Sequence, residues 1–237
     1  MAFDTVLNEF AQFMGSEVKR VEGLIPTNGG SSQSANSNII SGNGRPDDPN
    51  TTRVFVNGNW ENLIKGNEPN GTIYNSLNGA GVGAYLWQKQ QNVWQVISGD
   101  TGARQVTRSV HNIKSGYITL RRINNLVECT FGGGQWGAIY FYGTNAKEFK
   151  RKSHAKRMDL LSNSGIPYGF RAVNNTMLPF YGDDGQHLGM VYVGGRSNYD
   201  YIELRFQDKP PAEDMDIVRM PVIYWITNEP FPTNINL

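Results

Sequence analysis

Apolar residues recur at helical spacing in one long stretch. Phe3, Leu7, Phe10, Met14, Val21 and Leu24 follow alternating steps of four and three, with the polar Glu17 at one seam position. Val6, Phe13 and Val18 broaden the stripe. The spacing predicts a helix over 1–25. An isolated helix of this length is marginal in water, and a stripe this broad would stay wet on it. The pattern therefore predicts a coiled coil in which copies of the chain bury each other's seam, with the broad face favouring three strands over two.

The pattern changes after Leu24. Residues 26–51 are rich in Gly, Ser and Asn with the single apolar pair Ile39-Ile40, and read as an extended linker. From 52 onward the period is that of strands. Arg53 to Val56 and Asn59 to Ile64 flank Asn57-Gly58, the strongest short-range hairpin signal. Tyr85 to Gln88 and Val93 to Ile97 form a second predicted hairpin, and Tyr117 to Ile123 with Leu126 to Phe131 a third. Further strands are expected at 136–142, 168–173, 177–181, 188–193, 199–206 and 222–227, with a polar, partly helical excursion over 145–161.

The domain reading is a trimerising helix (1–25), a linker (26–51), a β-rich neck (52–101) and an antiparallel β-sandwich or barrel head (102–237), in a mainly β homotrimer. Within the neck, Gly66, Gly71, Gly79, Gly81 and Gly83 leave few side chains to fill a core, so close backbone packing is expected there.

Composition strengthens the β reading. The chain holds 27 Gly and 25 Asn among 237 residues, and both supply the left-handed conformations that tight turns require. Charge is balanced, 22 Lys+Arg against 21 Asp+Glu, so no overall field selects a polyanion and no nucleic-acid partner is expected. No apolar run approaches the roughly 20 residues of a membrane helix. The first residues lack the basic and apolar regions of a secretory signal. Cys129 is the one cysteine, which excludes an internal disulfide, and its alternation with polar neighbours predicts a buried structural thiol.

Catalytic signatures are missing. There is no nucleophile elbow, His111, His154 and His187 share no metal-ligand spacing, and the glycine runs lack the Lys-Ser/Thr of a phosphate loop. No catalytic residue, metal or cofactor is expected. Lys147, Lys150, Arg151, Lys152, His154, Lys156 and Arg157 form one concentrated basic run, able to neutralise phosphates or acidic polymer groups, or simply a solvated face.

Two turns look like a binding surface. One, Phe180 to His187, holds Asp183, Asp184 and His187; the other, Arg196 to Tyr201, holds Arg196 and Tyr199, with Trp136 as a further stacking face. Aromatic planes beside planar polar groups suit saccharides, whose C–H faces stack while their hydroxyls need donors and acceptors. Asp183-Asp184-Gly185 is also a fragment of a calcium loop, without the remaining ligands.

The order of parts, together with the phrases Glu68-Pro69-Asn70-Gly71-Thr72-Ile73-Tyr74-Asn75-Ser76, Val82-Gly83-Ala84-Tyr85-Leu86-Trp87 and Trp94-Gln95-Val96-Ile97-Ser98-Gly99-Asp100-Thr101-Gly102, resembles receptor-binding tail and baseplate proteins of siphophages that infect Gram-positive bacteria. The closing Trp225-Ile226-Thr227-Asn228-Glu229-Pro230-Phe231-Pro232 is similar in kind. The resemblance implies a homotrimer with a stem, an interlaced neck and a β-barrel head that binds host cell-wall polysaccharide. It implies attachment to other tail or baseplate proteins, and a place on the virion tail after synthesis in the host cytoplasm. It assigns no binding residue. A structural head-fibre or baseplate component without receptor binding, and a tail-associated glycan-degrading enzyme, are the alternative expectations.

Overall fold

The computed structural model describes residues 39–48, 53–56, 58–134, 137–152, 154–195 and 199–233, with the backbone alone described at 53–56 and 60. The seam residues Phe3, Leu7, Phe10, Met14, Val21 and Leu24 lie outside this set, as do Trp136 and Arg196. Among the described residues the chain is strand and turn, with a single 3-10 turn at Gly79–Gly81.

Local chemistry sets the hairpins. Strand β5 (Ala84–Gln90) meets β6 (Val93–Gly99) across Gln91 and Asn92, whose φ angles of 49° and 62° give the left-handed pair that matches strand twist. β9 (Tyr117–Ile123) pairs with β10 (Leu126–Gly132) from Ile123 opposite Leu126 to Tyr117 opposite Gly132. β2 (Arg53–Val56) and β3 (Asn59–Asn62) pair antiparallel, from Arg53 opposite Asn62 to Val56 opposite Asn59.

The mainly β expectation holds, but no sheet closes into a barrel. Sheets of four, four, three, four and two strands stand as separate open sheets. The first runs β1 (Ile39–Gly42), β4 (Ile73–Ser76), β5, β6. Its β1–β4 pair is parallel, so Ile39-Ile40 opens a strand within the stretch read as linker. The second runs β17 (Ile223–Ile226), β10, β9, β7 (Arg104–Gln105). The third runs β16 (Met215–Val218), β11 (Ile139–Phe141), β8 (Ile113–Ser115). The fourth runs β12 (Arg157–Leu161), β15 (Ile202–Phe206), β14 (His187–Val193), β13 (Thr176–Tyr181).

Two further expectations are corrected. The end of the 145–161 excursion is strand β12, not helix, because Met158 and Leu160 alternate with Arg157 and Asp159 and pair with β15. Residues 168–173 make only an isolated bridge, Ala172 with Gly195, because turns at 167–170 and 173–174 interrupt the run.

The larger core gathers Ile118, Leu120, Val127 and Cys129 from the second sheet with Met158, Phe180, Val191 and Leu204 from the fourth. A smaller core holds Ile64, Tyr74, Val82, Ala84 and Trp87, closed by Phe231 from the far end of the chain. The expected close backbone packing occurs within one chain. A Cβ on Gly83 would lie 1.8 Å from the carbonyl oxygen of Asp100, and one on Gly99 would lie 2.6 Å from the ring of Phe231.

Candidate functional site

The outer face of the fourth sheet is unusually polar and yet covered. On β15, Ile202, Leu204 and Phe206 face the core, so Glu203 and Arg205 face outward, as do Tyr192 on β14 and Asp159 on β12. Glu203 is opposite Tyr192 on one side and Asp159 on the other. Its side chain is nevertheless fully buried, because Lys152 folds over it from the 145–156 segment. Lys152 Nζ binds Glu203 Oε2 at 2.7 Å and also pairs with Asp159. Arg205 Nε donates to Glu203 Oε1 at 2.6 Å, and Arg157 lies 3.6 Å from the same oxygen.

This ion cluster ends in a row of tyrosines. Arg205 stacks over the Tyr192 ring at 3.7 Å and Lys152 over Tyr201 at 4.6 Å. The two rings are 5.5 Å apart. Burial opposes the charge on Lys152, but the Asp159 and Glu203 carboxylates outweigh it and hold the ammonium above its ordinary pKa. Burial, with Glu203 beside it, likewise raises Tyr201, which keeps its hydroxyl neutral.

Beyond the row lies a pocket of about 370 Å³ lined by Tyr192, Tyr199, Tyr201, Asn174, Asn175 and Gly195. Tyr192 and Tyr201 form its floor, while Tyr199 is 57% exposed and forms a wall. Asn175 Oδ1 accepts the backbone N–H of Gly195 at 2.8 Å, which fixes the amide and turns its NH₂ to other partners. Among the described residues no side-chain bond engages the three tyrosine hydroxyls.

Two glycines build this pocket. A Cβ on Gly194 would fall 1.7 Å from the Tyr199 carbonyl oxygen, and one on Gly195 would fall 2.5 Å from the Asn174 backbone. With hydrogen in place of a side chain, the Tyr199 and Asn174 segments close in from opposite sides. Gly194 N–H then donates to Tyr201 at 2.9 Å and locks the loop.

A second cleft of about 420 Å³ is lined among others by Arg108, Tyr168, Arg171 and Phe231. Tyr168 is 60% exposed, and Arg171 sits over its ring at 5.8 Å. Asp200 stands in the chain between Tyr199 and Tyr201 of the tyrosine pocket and contacts Arg171 of this cleft. Its Oδ1 accepts from Ser164 N–H at 2.9 Å, and its Oδ2 is 2.8 Å from Arg171 Nε.

The two predicted turns do not meet. Asp183, Asp184 and His187 lie at the β13–β14 tip, whereas Tyr199 lies past the other end of β14, roughly 20 Å away for a seven-residue strand. The tip's polar groups are occupied locally. Asp183 pairs with Arg219 at 2.5 Å, Asp184 Oδ1 accepts from Gln186 N–H at 3.0 Å, and His187 lies against Tyr181 with ring centres 5.6 Å apart. Of the predicted residues that are described, Tyr199 alone lines the tyrosine pocket. Tyr192 escaped sequence reasoning because Val191-Tyr192-Val193 reads as core, and only the strand register turns it outward. Asn174-Asn175 looks like any turn.

Among the described residues no three His, Cys, Asp or Glu side chains gather as a metal site. No helix among them is long and apolar enough to cross a membrane. Compared with protein-family models, with curated proteins and with solved structures, the chain matches none.

Proposed function

We propose that the chain is a non-catalytic glycan-binding protein whose ligand sits in the tyrosine pocket, and that it works as a receptor-binding tail protein attaching a phage to host cell-wall polysaccharide. One observation carries the binding reading: Tyr192, Tyr199 and Tyr201 converge with Asn174 and Asn175 on one 370 Å³ pocket. Aromatic planes take the C–H face of a sugar ring, and phenol and amide groups exchange hydrogen bonds with its hydroxyls. The tail assignment rests on the phrase resemblance over residues 66–102. In that reading the 1–25 helices join three copies, and a sandwich-type head on each presents one pocket. Three tethered sites make later contacts intramolecular, so weak single-site affinity suffices on a cell surface.

The test is titration of the full chain with soluble oligosaccharide released from host cell-wall polysaccharide. Tyr199→Ala is expected to weaken binding about tenfold or more while leaving the melting temperature nearly unchanged, since the side chain is half exposed. Equal binding by parent and variant would remove the pocket from consideration. Absence of parent binding would favour a purely structural baseplate role, and progressive shortening of the polymer would identify a glycan-degrading enzyme.

A further inference from the structure

On the other side of the Lys152–Tyr201 contact lies a cavity of about 230 Å³, lined by Thr144, Phe149, Arg151, Lys152, His154, Ala155, Arg157, Lys209 and Pro210. Its walls contain four Lys or Arg side chains and one His, and no carboxylate. The charges divide into two sets. Lys152 and Arg157 are anchored from beneath by the buried Glu203, which fixes their heads at the cavity wall. Arg151, His154 and Lys209 have no carboxylate partner among the described residues; the Arg151 guanidinium makes one long bond, 3.4 Å, to the Thr144 carbonyl.

A lone exposed lysine is an ordinary solvated charge. Two cations without a carboxylate, Arg151 and Lys209, beside two pinned ones are not, because each raises the cost of leaving the others without an anion. Phe149 and Pro210 supply an apolar part of the lining. Arginine forks match the tetrahedral oxygens of a phosphoryl group better than a single point charge does. The cavity is far larger than a chloride needs. It suits a phosphoryl group with a small substituent.

We infer that this cavity is an anion site for a phosphoryl group, distinct from the tyrosine pocket and standing whether or not that pocket binds sugar. The group could arrive as free phosphate or as the phosphate of a sugar phosphate, since the chemistry at the cavity is shared.

The experiment is a pair of titrations of the full chain, one with inorganic phosphate and one with glucose 1-phosphate, at constant ionic strength set by chloride. Chemical-shift changes at the Arg151, His154 and Lys209 amides report the site. Saturable shifts with either ligand, weakened about tenfold or more in Arg151→Gln and Lys209→Gln, are the expected result. Tighter binding of the sugar phosphate than of phosphate would identify the sugar phosphate as the natural source. Equal binding of the two would identify the free anion. Shifts that chloride alone reproduces, or that both variants retain in full, would overturn the site. Both substituted residues lie at the cavity wall rather than in the core, so folding of the variants can be checked independently by their amide spectra.

Discussion

Arg171 Nε lies 2.8 Å from Oδ2 of Asp200, a carboxylate whose side chain is 1% exposed and which stands in the chain between Tyr199 and Tyr201 of the tyrosine pocket, while Arg171 lines the Arg108–Tyr168 cleft. The Nε–H itself points to the Ile166 carbonyl at 3.3 Å, so Asp200 Oδ2 is held by charge rather than by a linear hydrogen bond. Removing the charge should be felt at once. Asp200→Asn keeps an acceptor for Ser164 N–H but strips Arg171 of its buried countercharge. A loss of about 2 kcal/mol is expected, read from urea unfolding midpoints, together with weaker binding in the tyrosine pocket as the 199–201 loop loosens.

The glycine pair offers a sharper comparison. Gly194→Ala drives a methyl group into the Tyr199 carbonyl and should destabilise by at least about 2 kcal/mol. Gly102→Ala meets nothing within 4 Å and suffers only its left-handed φ of +65°, which costs about 1 kcal/mol. The two melting temperatures should fall in that order; the reverse order would contradict the close approach at Gly194.

Arg122 is the third buried group on the inner face of β9, after Ile118 and Leu120. Its guanidinium donates to the carbonyls of Asn124, Gly169, Pro230 and Glu229, and its charge lies over the Phe231 ring at 5.4 Å. Burial lowers its pKa, opposed by Glu229. A lysine has neither the fork nor enough directed donors for four carbonyls. Arg122→Lys is expected to cost about 2–3 kcal/mol and to expose the 229–231 segment to proteolysis.

Acid should weaken the fold through His111 before it reaches the carboxylates. His111 Nδ1 is buried without a partner, and burial, aided by Lys150 and opposed by Asp159, lowers its pKa below 6.5. The unfolded chain therefore binds a proton that the native chain resists. The stability tied to neutral His111 is present above the unfolded pKa and falls as pH drops below it. Asp47, Asp100 and Asp214 have depressed pKa values, each held down chiefly by its hydrogen bond to Arg45, Arg121 or Lys114, and lose their contribution only at more acidic pH. Urea midpoints at about pH 8 and about pH 5 should differ more for the parent than for His111→Gln.

Cys129 is fully buried opposite Leu120, and burial pushes its thiol far above the ordinary range. It should be inert to a thiol-reactive dye in the native protein and react stoichiometrically once unfolded in urea. Native-state labelling would contradict its burial.

The strand content of this chain, its three tight hairpins and the buried thiol were legible in residue order, because period-2 alternation and left-handed turn residues act over a few positions. The helix seam at Phe3 to Leu24 is equally local but lies outside the described residues. What local pattern could not supply were the partners. Ile39-Ile40 is too short to announce a strand until β4 lies parallel beside it, and the small core lacks closure until Phe231 returns from the far end. Arg122 occupies a position where alternation asks for an apolar side chain, and the nearby Asn124 carbonyl with three distant ones, of Gly169, Glu229 and Pro230, makes a buried charge tolerable there. The same holds for the sites. Residue chemistry grouped Phe180 to His187 with Arg196 to Tyr201, but an extended seven-residue strand separates the two turns. Register instead brought Tyr192 beside Tyr199 and Tyr201, and the missing side chains of Gly194 and Gly195 drew Asn174 and Asn175 against them. Turn chemistry is decided by neighbours in the chain, whereas a pocket is decided by which backbones can approach, and that depends on packing across the whole fold.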